Sequence, residues 1–246
     1  MLSGIYQGSD ALSSLERWQA AVSQNISNSS VAGYKAVGVG ISTAESSKVP
    51  DGEDFAAILA KQGTRPEAKI CFDQGQIVPS GNPMDCAIDG DGFFQVQGDE
   101  GGTIYTRNGQ FRLNSENAIV DISGRPVLGT AGTITVNPAD GDVRVEEDGQ
   151  VYQGETRVAK LALVSISDES ALRPAGGGYV LDENSDAKAV DLEDARVVQG
   201  YYEASNVSPM REMISMITLS RAYEANQRII SNMDSLLGRV TSTFAV

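Results

Sequence analysis

Histidine is missing altogether from this 246-residue sequence. Its absence removes the commonest general base, the usual Ser/His/Asp and Cys/His nucleophile systems and the most frequent metal ligand. Only two cysteines occur, Cys71 and Cys86. They are too few for a disulfide scaffold and lack the spacing or partners of a zinc site, although one bridge between them stays open. Long apolar runs are lacking too. No stretch approaches the roughly 20 apolar residues of a membrane span, and no basic cluster followed by an apolar core opens the chain, so neither a span nor a cleavable signal is expected. Basic side chains are scarce, 19 against 33 acidic for a net charge of −14. A nucleic-acid backbone or an anionic lipid surface would repel such a chain. No cofactor, metal or small-molecule substrate is expected.

What is present is an ordinary globular composition, 41% hydrophobic and 21% charged, unevenly distributed. Residues 1–40 carry no net charge and residues 205–246 carry +1, so 41–204 carries −15. That middle also holds seven of the eight prolines and most of the glycines. Glycine and proline punctuate turns and are costly inside helices. The ends therefore read as helical and the middle does not.

The C-terminal helix has its start signal at Ser208-Pro209, an N-cap candidate followed by proline at the first helical position, and Gly238 offers an ending. Met216, Tyr223, Ile230 and Leu237 recur every seven residues along it. A second stripe runs through Leu219, Ala222, Ile229, Met233, Leu236 and Val240, interrupted by Asn226. From Leu2 to about Ile26, the positions Ile5, Gly8, Leu12, Leu15, Gln19, Val22 and Ile26 alternate three and four apart, a seam suited to another helix. The bland alternative for either helix is burial in the core of its own domain. The spacing favours a coiled-coil-like pair of terminal helices, with the second C-terminal stripe left for another subunit.

From Ile70 to Ala204, short apolar runs alternate with glycine-bearing turns about every ten residues, the pattern of a β fold. Candidate strands include Phe93–Val96, Ile119–Asp121, Thr133–Val136, Val158–Ile166 and Val197–Tyr202. Asn108-Gly109, between Ile104–Thr106 and Phe111–Leu113, is the pair a type I′ hairpin turn prefers. Residues 36–69 show weak periodicity and read as an extended connector.

Signals for chemistry are weak. Asp85, Asp89 and Asp91 lie close together, but the further ligands of a calcium loop do not follow, and a tight turn accounts for the run better. Gly176-Gly177-Gly178 lacks the lysine and helix of a phosphate cradle. Cys86 has no histidine to activate it and reads as a small buried residue.

Several strings together resemble the flagellar hook and basal-body rod proteins. They are Gln24-Asn25-Ile26-Ser27-Asn28 followed by Gly33-Tyr34-Lys35, Gly81-Asn82-Pro83-Met84-Asp85 with Ile88–Phe94, and Tyr105-Thr106-Arg107-Asn108-Gly109-Gln110-Phe111. Gly124-Arg125-Pro126-Val127-Leu128-Gly129 follows in the family's order. Gln199-Gly200-Tyr201, Glu203, Ser205-Asn206-Val207 and Leu219–Gln227 complete the set. Length resembles the proximal rod type more than the distal. Ser23-Gln24 and Ser27 depart from the family's usual Ala-Asn and alanine. The resemblance implies a non-enzymatic rod subunit of the bacterial flagellar basal body, exported through the flagellar type III apparatus and located in the periplasm. It also implies partners among copies of itself and other rod proteins.

The expected fold is thus mixed α and β: N- and C-terminal helices forming a coiled-coil-like pair, with a central all-β domain. Its parts are an assembly helix and signature over 1–35, a connector over 36–69, the β domain over 70–204 and a second assembly helix over 205–246. The expected assembly interface comprises Leu12, Leu15, Val22, Ile26, Met216, Leu219, Tyr223, Ile229, Ile230, Met233, Leu236 and Leu237. A reading of another class is an extracellular or periplasmic β-rich binding module dimerised by its helices. A third is an acid-dependent hydrolase using Asp89 or Asp91.

Overall fold

The computed structural model of the chain describes residues 2–42, 65–98, 101–137, 141–182, 184–192 and 196–244. The chain divides into two compact units. Met1–Ser27, Val37–Cys71 and Ser208–Val246 form one, and Asn28–Ala36 with Phe72–Val207 form the other. The middle of the stretch read as a connector, 43–64, lies outside the described residues.

The first unit contains both long helices, α1 (Leu2–Ser27) and α2 (Pro209–Phe244). Pro209 takes the first helical position, where its missing N–H is no loss, and the Ser208 carbonyl accepts the Glu212 N–H at 3.1 Å. At 1.5 Å per residue α2 is about 54 Å long. It continues through Gly238, the expected ending, to Phe244. A single glycine costs a helix interior only about 1 kcal/mol, which the hydrogen-bonded turns on either side outweigh. Beside the helices, Val37–Ser42 pairs antiparallel with Arg65–Ile70. Asn25 ties α1 to this hairpin: its amide donates to the Val37 carbonyl at 3.0 Å and its oxygen accepts the Val37 N–H at 2.9 Å. Among the described residues no helix is long and apolar enough to cross a membrane.

The expected coiled-coil-like pair is corrected by burial. A heptad seam must bury its a and d side chains continuously. Of the expected seam, Val22 and Leu219 are buried, while Leu12, Leu15, Ile26, Met216, Tyr223 and Ile230 are only half-buried. Toward its C-terminal end α1 instead buries the small Ala21 and the hydrogen-bonded Asn25. A buried polar residue committed to a neighbouring strand and a small alanine do not supply knobs for holes on a partner helix, so the seven-residue spacing does not translate into a zipper.

The second unit is built on a six-stranded antiparallel sheet. Its order is Leu172–Ala175, Gly178–Leu181, Thr103–Thr106, Phe93–Gln97, Leu163–Ile166 and Ala189–Asp191. Smaller ladders flank it: Val143–Val145, Gln150–Gln153 and Thr156–Lys160 form one sheet, and Cys86–Asp89 pairs with Arg196–Gln199. Alternation along Phe93–Gln97 sends Phe94 and Val96 into the main core with Ile88, Ile104, Phe111 and Val127. Phe93 faces the other way, into an aromatic cluster with Phe72 and Tyr179 at ring distances of 5.5 and 6.3 Å.

Three strand expectations change. Of Thr133–Val136 only Thr133 lies in a strand, Gly132–Thr133. Val158–Ile166 is two strands, Thr156–Lys160 and Leu163–Ile166. Val197–Tyr202 breaks at Gly200, where φ is +80° and the N–H binds the Asp85 carbonyl at 2.7 Å. The chain thereby leaves the Cys86–Asp89 ladder, and Tyr201–Glu203 pairs with Ile77–Pro79. The type I′ hairpin at Asn108-Gly109 is not formed either, since neither residue has positive φ. Gly109 is required for another reason: a Cβ there would stand 1.7 Å from the Cys86 carbonyl oxygen. Backbone cannot rotate out of the way as a side chain can. Gly109→Ala is therefore expected to cost about 3 kcal/mol, read as a fall in thermal midpoint, and an unchanged midpoint would refute this account of the close approach.

Candidate functional site

Two features stand out, one in each unit. In the β unit three charged side chains are buried together. Strand Tyr201–Glu203, redirected at Gly200, carries Glu203 inside. The turn after α1 brings Lys35, and the end of Thr103–Thr106 brings Arg107. Lys35 Nζ donates to Glu203 Oε1 at 2.7 Å and to the carbonyls of Phe72 and Asp73 at 3.1 and 2.7 Å, so all three ammonium protons are used. Glu203 Oε1 also accepts the Gly75 N–H at 2.7 Å. Arg107 donates to Glu203 Oε2 at a longer 3.4 Å and to the Gly90 carbonyl at 2.8 Å, and lies over the Phe93 ring at 5.1 Å. Lys35 and Glu203 side chains have 0% exposure.

The electrostatics follow from this burial. Desolvation pulls the Arg107 guanidinium below its ordinary range, and the Glu203 carboxylate opposes it. Burial likewise raises the Tyr179 phenol. Glu203 bridges both cations and carbonyls complete the Lys35 shell, while Arg107 Nε is buried without a hydrogen-bond partner, so the cluster reads as a structural node.

In the helical unit the feature is apolar. At 100° per residue, Met210, Met213, Ile214 and Ile217 share one stripe of α2, roughly 180° from the face of Leu219, Tyr223 and Ile230. The second face is turned inward, with Leu219 buried. The first is exposed, from 70% at Met210 to 51% at Met213. Trp18 on α1 is also exposed, at 45%.

Of the expected interface residues, Leu12, Leu15, Val22 and Ile26 lie on α1 and the rest on α2. Ile229 is exposed. The side chains of Met233, Leu236 and Leu237 lie outside the described residues. Sequence reasoning missed the stripe from Met210 to Ile217, although its spacing of three, one and three was there to see. It also missed the charge node. Gly33-Tyr34-Lys35 and Glu203 were recognised as strings, but nothing in a linear sequence pairs residues 168 apart.

The weak chemical signals resolve into structure. The Asp85 carboxylate accepts the Asn82 amide at 2.8 Å within a turn. Gly177 turns the chain between Leu172–Ala175 and Gly178–Leu181. Cys71 is exposed and Cys86 buried, each as a thiol. Burial first, then the Asp85 charge, pushes the Cys86 pKa up to about 12, which keeps it protonated at neutral pH.

Comparison with known proteins agrees with the motifs. The family described as flagellar basal body rod FlgEFG protein C-terminal matches residues 198–243. The flagellar hook protein FlgE/F/G D1 domain matches 87–153. The flagellar basal-body rod protein FlgF of Caulobacter vibrioides is 34% identical over 239 residues, covering 96% of this chain and 95% of the relative. FlgF of Salmonella typhimurium is 28% identical, covering 98% of each chain. FlgG of Buchnera aphidicola subsp. Schizaphis graminum is 30% identical but aligns over 73% of this chain and 72% of its own length. Near-complete coverage by the FlgF relatives agrees with the proximal type suggested by length. On the strength of these relatives and of motifs running nearly end to end, this chain belongs to the flagellar basal-body rod protein family.

Proposed function

We propose that this chain polymerises through its terminal helices into the flagellar rod, the shaft that carries torque from motor to hook. As a member of the rod family it is a structural subunit of the bacterial basal body and not an enzyme. The observation that supports assembly through the helices is the pair of opposed apolar faces on α2, one of which is exposed along Met210, Met213, Ile214 and Ile217. Covering a large apolar side chain contributes about 1.5–3 kcal/mol, so half-covering four of them contributes on the order of 4 kcal/mol per helix. In a helical array that contribution recurs at every contact. Half-buried Leu12, Leu15, Met216, Tyr223 and Ile230 retain area that a neighbour can cover, and Ile229 adds to it.

Near-neutral ends can crowd together, whereas a middle carrying −15 favours an outer, solvated position. Partners in this reading are copies of the chain, other rod proteins and the flagellar export apparatus, and its station is the periplasmic rod. The test is imaging. In a strain lacking the chromosomal copy, basal bodies should stop at a truncated rod, and a labelled chain should restore them and decorate the rod. Complete rods without the chain, or label absent from restored basal bodies, would overturn the reading.

A further inference from the structure

We propose that Glu203 and Asn206 act as one cooperative clasp that fixes the places where the chain leaves the β unit, opening and closing as a single element distinct from the sheet. The inference deepens the shaft reading, because a subunit that carries torque needs its helical ends rooted without slack. Stretches of this unit bordering its exits run into the clasp. Gly33, beyond the entry at Asn28, donates its N–H to the Glu203 carbonyl at 2.7 Å. Ala36, the last residue before the next exit, donates its N–H to Asn206 Oδ1 at 2.7 Å. Past the re-entry at Phe72, the Asp73 carbonyl accepts Asn206 Nδ2 at 3.0 Å, and Gly75 donates to Glu203 Oε1. Glu203 and Asn206 themselves precede the final exit at Val207.

Two side chains from one short segment thus hold both other segments through directed hydrogen bonds, with Lys35 and Arg107 neutralising the carboxylate. Apolar contacts tolerate sliding. A buried carboxylate shared among donors from separate segments admits one arrangement, because a partial displacement leaves charge without a partner. The outcome is a two-state clasp within the β unit. The steric margin is equally narrow: a Cβ on Gly33, whose φ is +70°, would lie 2.3 Å from the Asn108 nitrogen.

Native-state amide hydrogen exchange on the purified full-length chain tests this independently of rod assembly. In the unaltered protein the Gly33, Ala36 and Gly75 amides should share one exchange rate, at least 100-fold faster than amides of Phe94 and Val164 in the sheet. Asn206→Ala should accelerate all three by the same factor, at least tenfold, although the Asn206 side chain accepts only the Ala36 amide among them. Acceleration of Ala36 alone, or exchange of all three at the sheet's rate in the unaltered protein, overturns the clasp. Failure of the imaging experiment would sink the shaft reading and leave the exchange result standing.

Discussion

Lys35→Met should lower the stability of the β unit by about 3–5 kcal/mol, the usual cost of removing one partner of a buried ion pair. Methionine replaces most of the lysine stem, so little packing volume is lost. What remains is a Glu203 carboxylate whose principal counterion has gone, because the Arg107 contact is the longer at 3.4 Å. The Phe72 and Asp73 carbonyls lose their ammonium donor as well. Together these leave charge and acceptors buried without adequate partners, and in a low-dielectric interior that omission is costly. The informative comparison is the triple variant Lys35→Met, Glu203→Leu and Arg107→Met, which removes the charges together. Replacing a whole buried ionic group by apolar residues is often near neutral, so the triple variant should lose less than the single one. Urea unfolding followed by the sheet's spectroscopic signal gives both values, with the midpoint falling and the slope unchanged. If the triple variant is as unstable as Lys35→Met or worse, the cost lies in packing rather than in unpaired charge.

This node marks where linear reading stopped. Helix α2 was legible because its start depends on Ser208 and Pro209 alone, and the central β unit because alternation and glycine turns repeat locally. Family membership was legible because strings such as Tyr105–Phe111 and Leu219–Gln227 fall within the matched segments 87–153 and 198–243. Lys35 and Glu203 stand in separate motif strings far apart in sequence, and only the bend at Gly200 places one against the other. Gly109 shows a subtler failure. Asn-Gly is a turn signal through φ, yet here glycine is needed because the Cys86 backbone passes close by, a contact 23 residues upstream. The heptads misled in a third way. Seven-residue recurrence locates an apolar face but not the partner that covers it, and Asn25 commits that part of α1 to the strand beginning at Val37.

The exposed stripe of α2 carries the second large prediction: Ile214→Asp together with Ile217→Asp should abolish rod assembly while leaving the chain folded. Both side chains are exposed, 59% and 56%, so the substitutions bury no charge in the isolated subunit, and exposed helical positions tolerate aspartate at a few tenths of a kcal/mol each. In an assembled array the same positions would lie against a neighbour, and each carboxylate would be desolvated without a counterion at several kcal/mol. Repetition along the array multiplies that cost at every contact, whereas the folded subunit meets none of it. The control is Glu155→Gln with Arg157→Gln, exposed charges of the β unit that lie outside α2. Complementation of a strain lacking the chromosomal copy supplies the assembly readout as swimming and as rods in isolated basal bodies. Circular dichroism and the thermal midpoint of the purified variants supply the folding readout. The expected pattern is a non-motile, rodless strain producing a chain with an unchanged midpoint, and normal motility from the control. Normal rods from the double aspartate variant would mean that this face stays in solvent, and the assembly contact would then have to be sought on the half-buried face of Tyr223 and Ile230.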